Sequence, residues 1–375
     1  MKNIEKNRMR ELLKQPIILK SDVFVEFSQT PWGARVIGEY IKNEIVEGVI
    51  GEPIGESWEF SISDSEYGSI DSKTNVTLAE FFEHTDLIYG DSLAKNMSLN
   101  NDDSELLIKI IDTDQRLSFQ VHPDESFAGL IGDECGKSEA WLILDSKAGG
   151  GVYLGFIPEV NSADLKERLK HGQDIDQYLN FVEVERYDFV QVPPGTPHAI
   201  GAGLTLIEPQ LIKKSKKGKT FRLSDWGRKY DDKGKLCETG GSLRELHVDR
   251  ASSLLNPAKQ SGVDFLSGLL IKPQREVLKH GLDLLVYAKG AACNLKIILG
   301  EESYKVSLIV EKGFLVLMAL KGCVSISAAD GSLKSLKKGQ TAFIANAIRR
   351  VNISSEFASE LAIFSPFESE YQLKV

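Results

Sequence analysis

Short alternating apolar and polar segments recur along the whole chain, and they limit its fold more than any other feature. Before residue 262 they read VFVEFS, GESWEFSIS, ELLIKIID, RLSFQVH, EAWLILD, GVYLGF, FVQVP and GLTLIEPQ. After it come LDLLVYAKG, CNLKIILG, YKVSLIVEKG, FLVLMALKG, CVSISAADG, QTAFIANAIRRVNI and ELAIFSP. Each is a few residues long, rich in β-branched and aromatic side chains, and bounded by Gly, Asp, Asn or Pro. That pattern predicts antiparallel sandwiches or barrels. Two stretches have helical spacing instead: TLAEFFEHTDLIYGDSL (77–93), and SADLKERLKHGQDIDQYLNF (162–181) with Ser162 as a possible cap. Both are expected to be helices packed beside the sheets. The segment DRASSLLNPAKQSG (249–262) reads as a short helix and linker between two β-rich blocks.

The expected organisation is an extension over 1–20, a first domain over 21–260 and a second β-domain over 261–375. A chain of 375 residues is long enough for two cores. The net charge of −9 argues against a general nucleic-acid binder and leaves room for a local basic pocket. No apolar run approaches the roughly 18 residues of a membrane span. The N-terminal sequence MKNIEKNRMRELLKQPIILK has no apolar core of a secretory signal. Cys135, Cys237, Cys293 and Cys323 are widely spaced and form no CxxC pair, so they read as free thiols in a reducing compartment. A cytoplasmic location is therefore expected, with no membrane or nucleic-acid partner.

YDFVQVPPGTPHAIGA (187–202) and KGQTAFIANAIRRVNI (338–353) share a path of turn, apolar strand, small-residue corner and second strand. This suggests an internal duplication. The second copy carries Arg349 or Arg350 where the first has His198, so only the first domain would keep the chemistry.

That chemistry is suggested by LSFQVHPDE (117–125). On a strand, Ser118, Gln120 and His122 share one face, and polar groups ranked on the inner face of a sheet are costly unless something holds them. Glu139 in GKSEAW and His198 in PPGTPHAIG supply a carboxylate and a second imidazole. Neighbouring strands of a barrel can bring all four together. Gln120, His122, Glu139 and His198 make a mixed N/O donor set that suits zinc, and also iron, manganese, cobalt or nickel.

These segments together resemble the type I mannose-6-phosphate isomerases of the cupin superfamily. PIILK, PWG (31–33), IGESWEFS, ELLIKIIDTDQRLSFQVHPDE, GKSEAWLIL, VPPGTPHAIGAGLTLIEPQ and LRELHVDRA (243–251) carry the resemblance in order. Beyond about residue 260 only a second β-domain matches. The resemblance implies a mainly β fold of two cupin-like jelly-roll barrels with added helices. It also implies one zinc ion per chain on Gln120, His122, Glu139 and His198, and interconversion of mannose 6-phosphate and fructose 6-phosphate through an enediol(ate). The partner is a small sugar phosphate.

The family's active-site arginine falls on Arg222 in KTFRLSDWGR, and Glu208 in LIEPQ is a candidate base. Lys109, in an otherwise apolar strand, is a candidate for substrate or phosphate binding. So is Lys137, which shares a strand face with Glu139, and Ser118 could add a hydroxyl. His247 is a possible further pocket group. The chain departs from the family at PQLIKKSKKGKTF (209–221), which is longer and more basic than the usual pattern. This stretch is either a solvated lysine loop or a lid that draws in a sugar phosphate. Rival readings are a non-catalytic sugar-binding cupin, a metal-dependent oxygenase, and an isomerase of another, non-phosphorylated sugar.

Overall fold

In the computed structural model the alternating segments pair into four large antiparallel sheets of six, five, seven and five strands. The structure describes residues 2–63, 65–100, 104–127, 129–279, 281–288 and 290–375. Met1 and Lys289, which fall in the expected extension and in an expected strand, lie outside them. The fold is mainly β. No helix among the described residues is long and apolar enough to cross a membrane.

Strand alternation explains how the sheets stack. In Ser138–Ser146, Ala140 and Leu142 join one apolar cluster, while Trp141 and Ile143 join another. The second cluster also takes Val152, Leu154 and Ile200, so the six-stranded sheet faces the first five-stranded one. The other face of the six-stranded sheet (Ile108, Ile110, Ile207) packs on Leu295, Ile297, Val316 and Phe364 of the seven-stranded sheet. Behind that sheet, Ile298, Leu317 and Ile363 meet Val306, Leu308, Val324 and Val351 of the last one. The molecule is therefore four sheets deep, with three apolar layers between them.

The two ends of the chain meet in this stack. Ile17–Ile18 pairs antiparallel with Thr341–Ile344, through Ile17 opposite Phe343. The Phe60 and Phe314 rings lie 5.6 Å apart, and Phe314 and Phe343 lie 5.5 Å apart. Beside them a charged pair is sealed in. Lys42 is fully buried, and its Nζ donates to Glu59 at 2.8 Å and to the Gly339 carbonyl at 2.6 Å. Ser57 and Thr341 hydroxyls also donate to Glu59, at 2.6 and 3.2 Å.

Some local expectations were wrong. The stretch 77–93 is not one helix: Leu78–Phe82, Thr85–Tyr89 and Asp91–Asn100 follow one another. Gly90 breaks the last junction at φ 82°, a conformation that no continuing helix can hold. Asn161, not Ser162, caps the next helix by accepting from the amides of Ala163 and Asp164. That helix stops at Lys170, and Leu179–Glu183 becomes a strand because it pairs with Gly151–Phe156. VFVEFS forms only an isolated bridge at Phe24, since the chain turns at Glu26–Thr30 before a ladder can extend. The two segments compared as a duplication follow the same path. Phe189–Val192 and Thr341–Ile344 each lie in one sheet of a facing pair, and the chain then crosses to the other at His198–Ile200 and Arg350–Ser355.

Candidate metal centre and adjoining cleft

The site lies between the six-stranded and the first five-stranded sheet, where alternation turns polar side chains inward. From the six-stranded sheet come Lys109, Glu139, Glu208 and Gln210, with Glu208 directly opposite Lys109 and Gln210 opposite Glu139. From the other come Gln120, His198 and Arg222, in one row across three strands: His198 opposite Gln120, and Gln120 opposite Arg222. His122 follows immediately after Phe119–Val121. Its backbone is fixed by the PPGTP turn, where Gly195, at φ 83°, donates its N–H to the His122 carbonyl at 2.7 Å.

His122, Glu139 and His198 are all buried, and their ligand atoms lie within 4.8 Å of one another. The His122 Nδ1–H donates to the Lys219 carbonyl at 3.1 Å, and the His198 Nδ1–H to the Thr196 carbonyl at 2.8 Å. In a neutral ring this leaves Nε2 as a lone pair. Both Nε2 atoms face Glu139, His122 toward Oε2 and His198 toward Oε1, each at 3.1 Å. Burial pushes His122 down to about 3, so its ring is neutral. Two lone pairs thus point at a carboxylate, and His122 Nε2 and Glu139 Oε1 have no hydrogen-bond partner. Buried polar atoms left in this way are costly, and a divalent cation at their convergence would satisfy all of them. The donor set fits such an ion.

Gln120 completes the surroundings, with its side-chain amide 3.2 Å from His198 Nε2 and a contact of 3.4 Å from the Ser118 hydroxyl. Burial opposes ionisation of Glu139, but the positive charge beside it, with Lys137 Nζ at 3.0 Å, outweighs burial and holds the carboxyl well below its ordinary value. Glu208 goes the other way. Burial first, and the Glu139 charge next, push it up to about 7, against the pull of Lys109 and Lys137. Lys109 lies 3.8 Å from Glu208 and 3.1 Å from Glu56, above the Trp58 ring. Burial works against its charge, and Glu56 and Glu208 outweigh burial, so its pKa is raised. Arg222 donates through Nη1 to the Glu245 carbonyl at 3.0 Å, and its buried Nε–H has no partner. His247 holds the Arg222 backbone from both sides, accepting its N–H at 3.1 Å and donating to its carbonyl at 2.7 Å.

A cleft of about 660 Å³ adjoins this group. Lys109, Lys137 and Gln210 line its inner end, and Lys214, Lys216 and Lys217 of the basic turn line its rim. The basic turn is therefore part of the site, and its Lys219 carbonyl also orients His122. Glu56, Trp58, Trp141 and Gln210 were not anticipated. Gln210 could have been found, because it lies two residues after Glu208 on the same strand face.

No family model matches the chain. The mannose-6-phosphate isomerase ManA of Bacillus subtilis is 29% identical over 232 residues, which is 61% of this chain and 65% of that protein. The aligned part is thus a little under two thirds of that relative's length. The mannose-6-phosphate isomerase of Streptococcus mutans is 29% identical over 250 residues, 66% of this chain and 70% of that protein. Among solved structures, the mannose 6-phosphate isomerase from Bacillus subtilis superposes with a TM-score of 0.72 at 23% identity, covering 93% of this chain and 99% of that one. A putative mannosephosphate isomerase from Archaeoglobus fulgidus gives 0.65 at 21%, covering 94% and 98%. At these identities the structural matches establish the fold.

Proposed function

Because this chain belongs to the mannose-6-phosphate isomerase family, we propose that it interconverts mannose 6-phosphate and fructose 6-phosphate by moving a proton between C1 and C2 through an enediol. The observation that carries this reading is the company the metal group keeps: a buried carboxyl with a pKa near neutrality, Glu208, shares its inter-sheet space. His122, Glu139, His198 and Gln120 would hold a divalent cation, zinc being the natural choice for these donors, and that ion would supply positive charge to stabilise the negative charge of the enediolate.

The remaining work falls to the chain. Glu208 is the proton carrier, since burial raises it above the ordinary carboxylate range and a carboxyl so shifted can both accept and return a proton. Trp141 Nε1–H donates to it at 3.3 Å and fixes its rotamer. Lys109, Lys137 and Ser118 bind the substrate. Arg222 offers a permanent charge and an unpartnered Nε–H to a developing oxyanion or a phosphate oxygen. The sugar phosphate occupies the cleft with its phosphate toward the lysine rim. In the same reading each facing sheet pair is a cupin-like jelly-roll barrel. Residues 21–260 hold the chemistry, and 261–375 form a second domain that lacks the ligands.

The direct test is elemental analysis of the purified protein together with isomerase assays before and after chelation. About one ion per chain, with activity lost on chelation and restored by metal, is the expected result; bound metal without turnover on mannose 6-phosphate would overturn it. Arg222→Ala is expected to keep its metal and lose about 10²–10³-fold in kcat, as for removal of one charge-stabilising donor. Wild-type kinetics in that variant would remove Arg222 from the reaction. Lys214→Gln with Lys216→Gln should raise KM for the phosphorylated sugar about threefold to tenfold and weaken its salt dependence, with kcat unchanged.

A further inference from the structure

We propose that Gln210 is the positioning residue that ties the metal-side carboxylate, Glu139, to the proton-carrying carboxylate, Glu208, through the two hydrogens of a single amide. The inference rests on the isomerase reading for the role of Glu208, and on the geometry alone for the link to Glu139.

Gln210 Nε2 lies 3.2 Å from Glu139 Oε2 and 2.5 Å from Glu208 Oε2. Gln210 is only 2% exposed, so its amide hydrogens are directed at the two carboxylates and not at bulk solvent. Backbone register sets the arrangement: Gln210 is the cross-strand partner of Glu139 and lies two residues after Glu208 on the same strand. The three side chains therefore share one face of a rigid sheet. The chemistry also fixes which end of the amide points inward, because an amide oxygen turned toward two carboxylates would be repelled by both.

A lysine here would neutralise one carboxylate, and a hydrophobic residue would leave the two facing each other across apolar space. The neutral amide orients both and quenches neither. Each acid keeps one further donor, Lys137 Nζ for Glu139 and Trp141 Nε1 for Glu208, so loss of the amide loosens their geometry without stranding either group. Partners that orient a metal ligand in this way are worth about 10–100-fold in metal affinity or activity.

The test is Gln210→Met, which keeps the side chain's length and removes both donors. Gln210→Asn, which cannot reach both acids, serves if the first variant does not fold. In a folded variant, chelator competition with zinc should show affinity lower by about 10–100-fold. At saturating zinc, kcat should fall tenfold or more, with KM for mannose 6-phosphate within about threefold. Zinc affinity within twofold of wild type would overturn the tie to Glu139, and a wild-type kcat at saturating zinc would overturn the tie to Glu208. If the wild-type protein turns over no hexose 6-phosphate, the isomerase reading fails by itself, and the chelator titration alone decides the role of Gln210.

Discussion

His122→Ala and His198→Ala are each expected to abolish binding of the proposed divalent cation and to lower turnover by about 10³-fold or more. The size follows from what is lost. A bound cation contributes several kcal/mol to stabilising charge in the transition state, and each 1.36 kcal/mol is tenfold in rate. Each imidazole aims a fixed lone pair at Glu139, because its other nitrogen is committed to a carbonyl, Lys219 for His122 and Thr196 for His198. Alanine removes that donor, and a water in its place would not be held by the backbone carbonyl that fixes the imidazole. Metal content by elemental analysis and turnover should therefore fall together, while far-ultraviolet circular dichroism stays unchanged. His171 provides the control: it is exposed and bound only to Glu167 one helical turn away, so His171→Ala should leave both readouts alone. Full metal occupancy in both site variants would remove these histidines from the ligand set.

Lys42→Ala should be the most damaging change away from the site, costing about 3–5 kcal/mol in stability. The ammonium is fully buried, and Glu59, its partner, is 1% exposed. Removing one charge leaves the other without compensation in apolar surroundings, and that penalty exceeds the worth of the pair itself. Glu59 would keep the Ser57 and Thr341 hydroxyls, which soften the loss without replacing a charge. Replacing both partners together, Lys42→Met with Glu59→Leu, should cost far less than either single change, because no charge then remains buried. Urea unfolding of the metal-free protein reads this as a shift in midpoint. If the double variant is as unstable as Lys42→Ala, the penalty lies in packing and not in the orphaned charge.

The sequence made the candidate metal group visible because strand alternation is local. Gln120 and His122 lie two residues apart next to a proline, and buried polar groups on one strand face need a partner. The cross-strand half of the site was hidden. Nothing in ELLIKIID says that Lys109 will stand opposite Glu208, or that Glu56 and Trp58 will flank it, since register is decided between strands far apart in sequence. The basic insertion was conspicuous and its meaning was not. Its lysines reach the cleft only because Lys217–Gly218 pairs with Glu134–Cys135 and turns the loop back over the site. Helical periodicity misled at 179–183 for a related reason: a leucine stripe with an open sheet edge beside it is taken up as a strand.

The antiparallel pairing of Ile17–Ile18 with Thr341–Ile344 has a consequence for how the chain is made. Synthesis runs from the N-terminus, so the strand Ile17–Ile18 waits for its partner until the chain has been made as far as Phe343. The same delay holds for Lys42, whose carbonyl acceptor on Gly339 is 297 residues away, and for Glu59 and Thr341, separated by 282. In the meantime the face of the six-stranded sheet that carries Ile108, Ile110 and Ile207 lacks the cover that Leu295, Ile297, Val316 and Phe364 later provide. A nascent chain stalled or cut before the last strands would expose that apolar surface together with a charged pair still short of its partners. Truncation before Thr341–Ile344 should thus produce a chaperone client or an aggregate, and not a smaller folded protein.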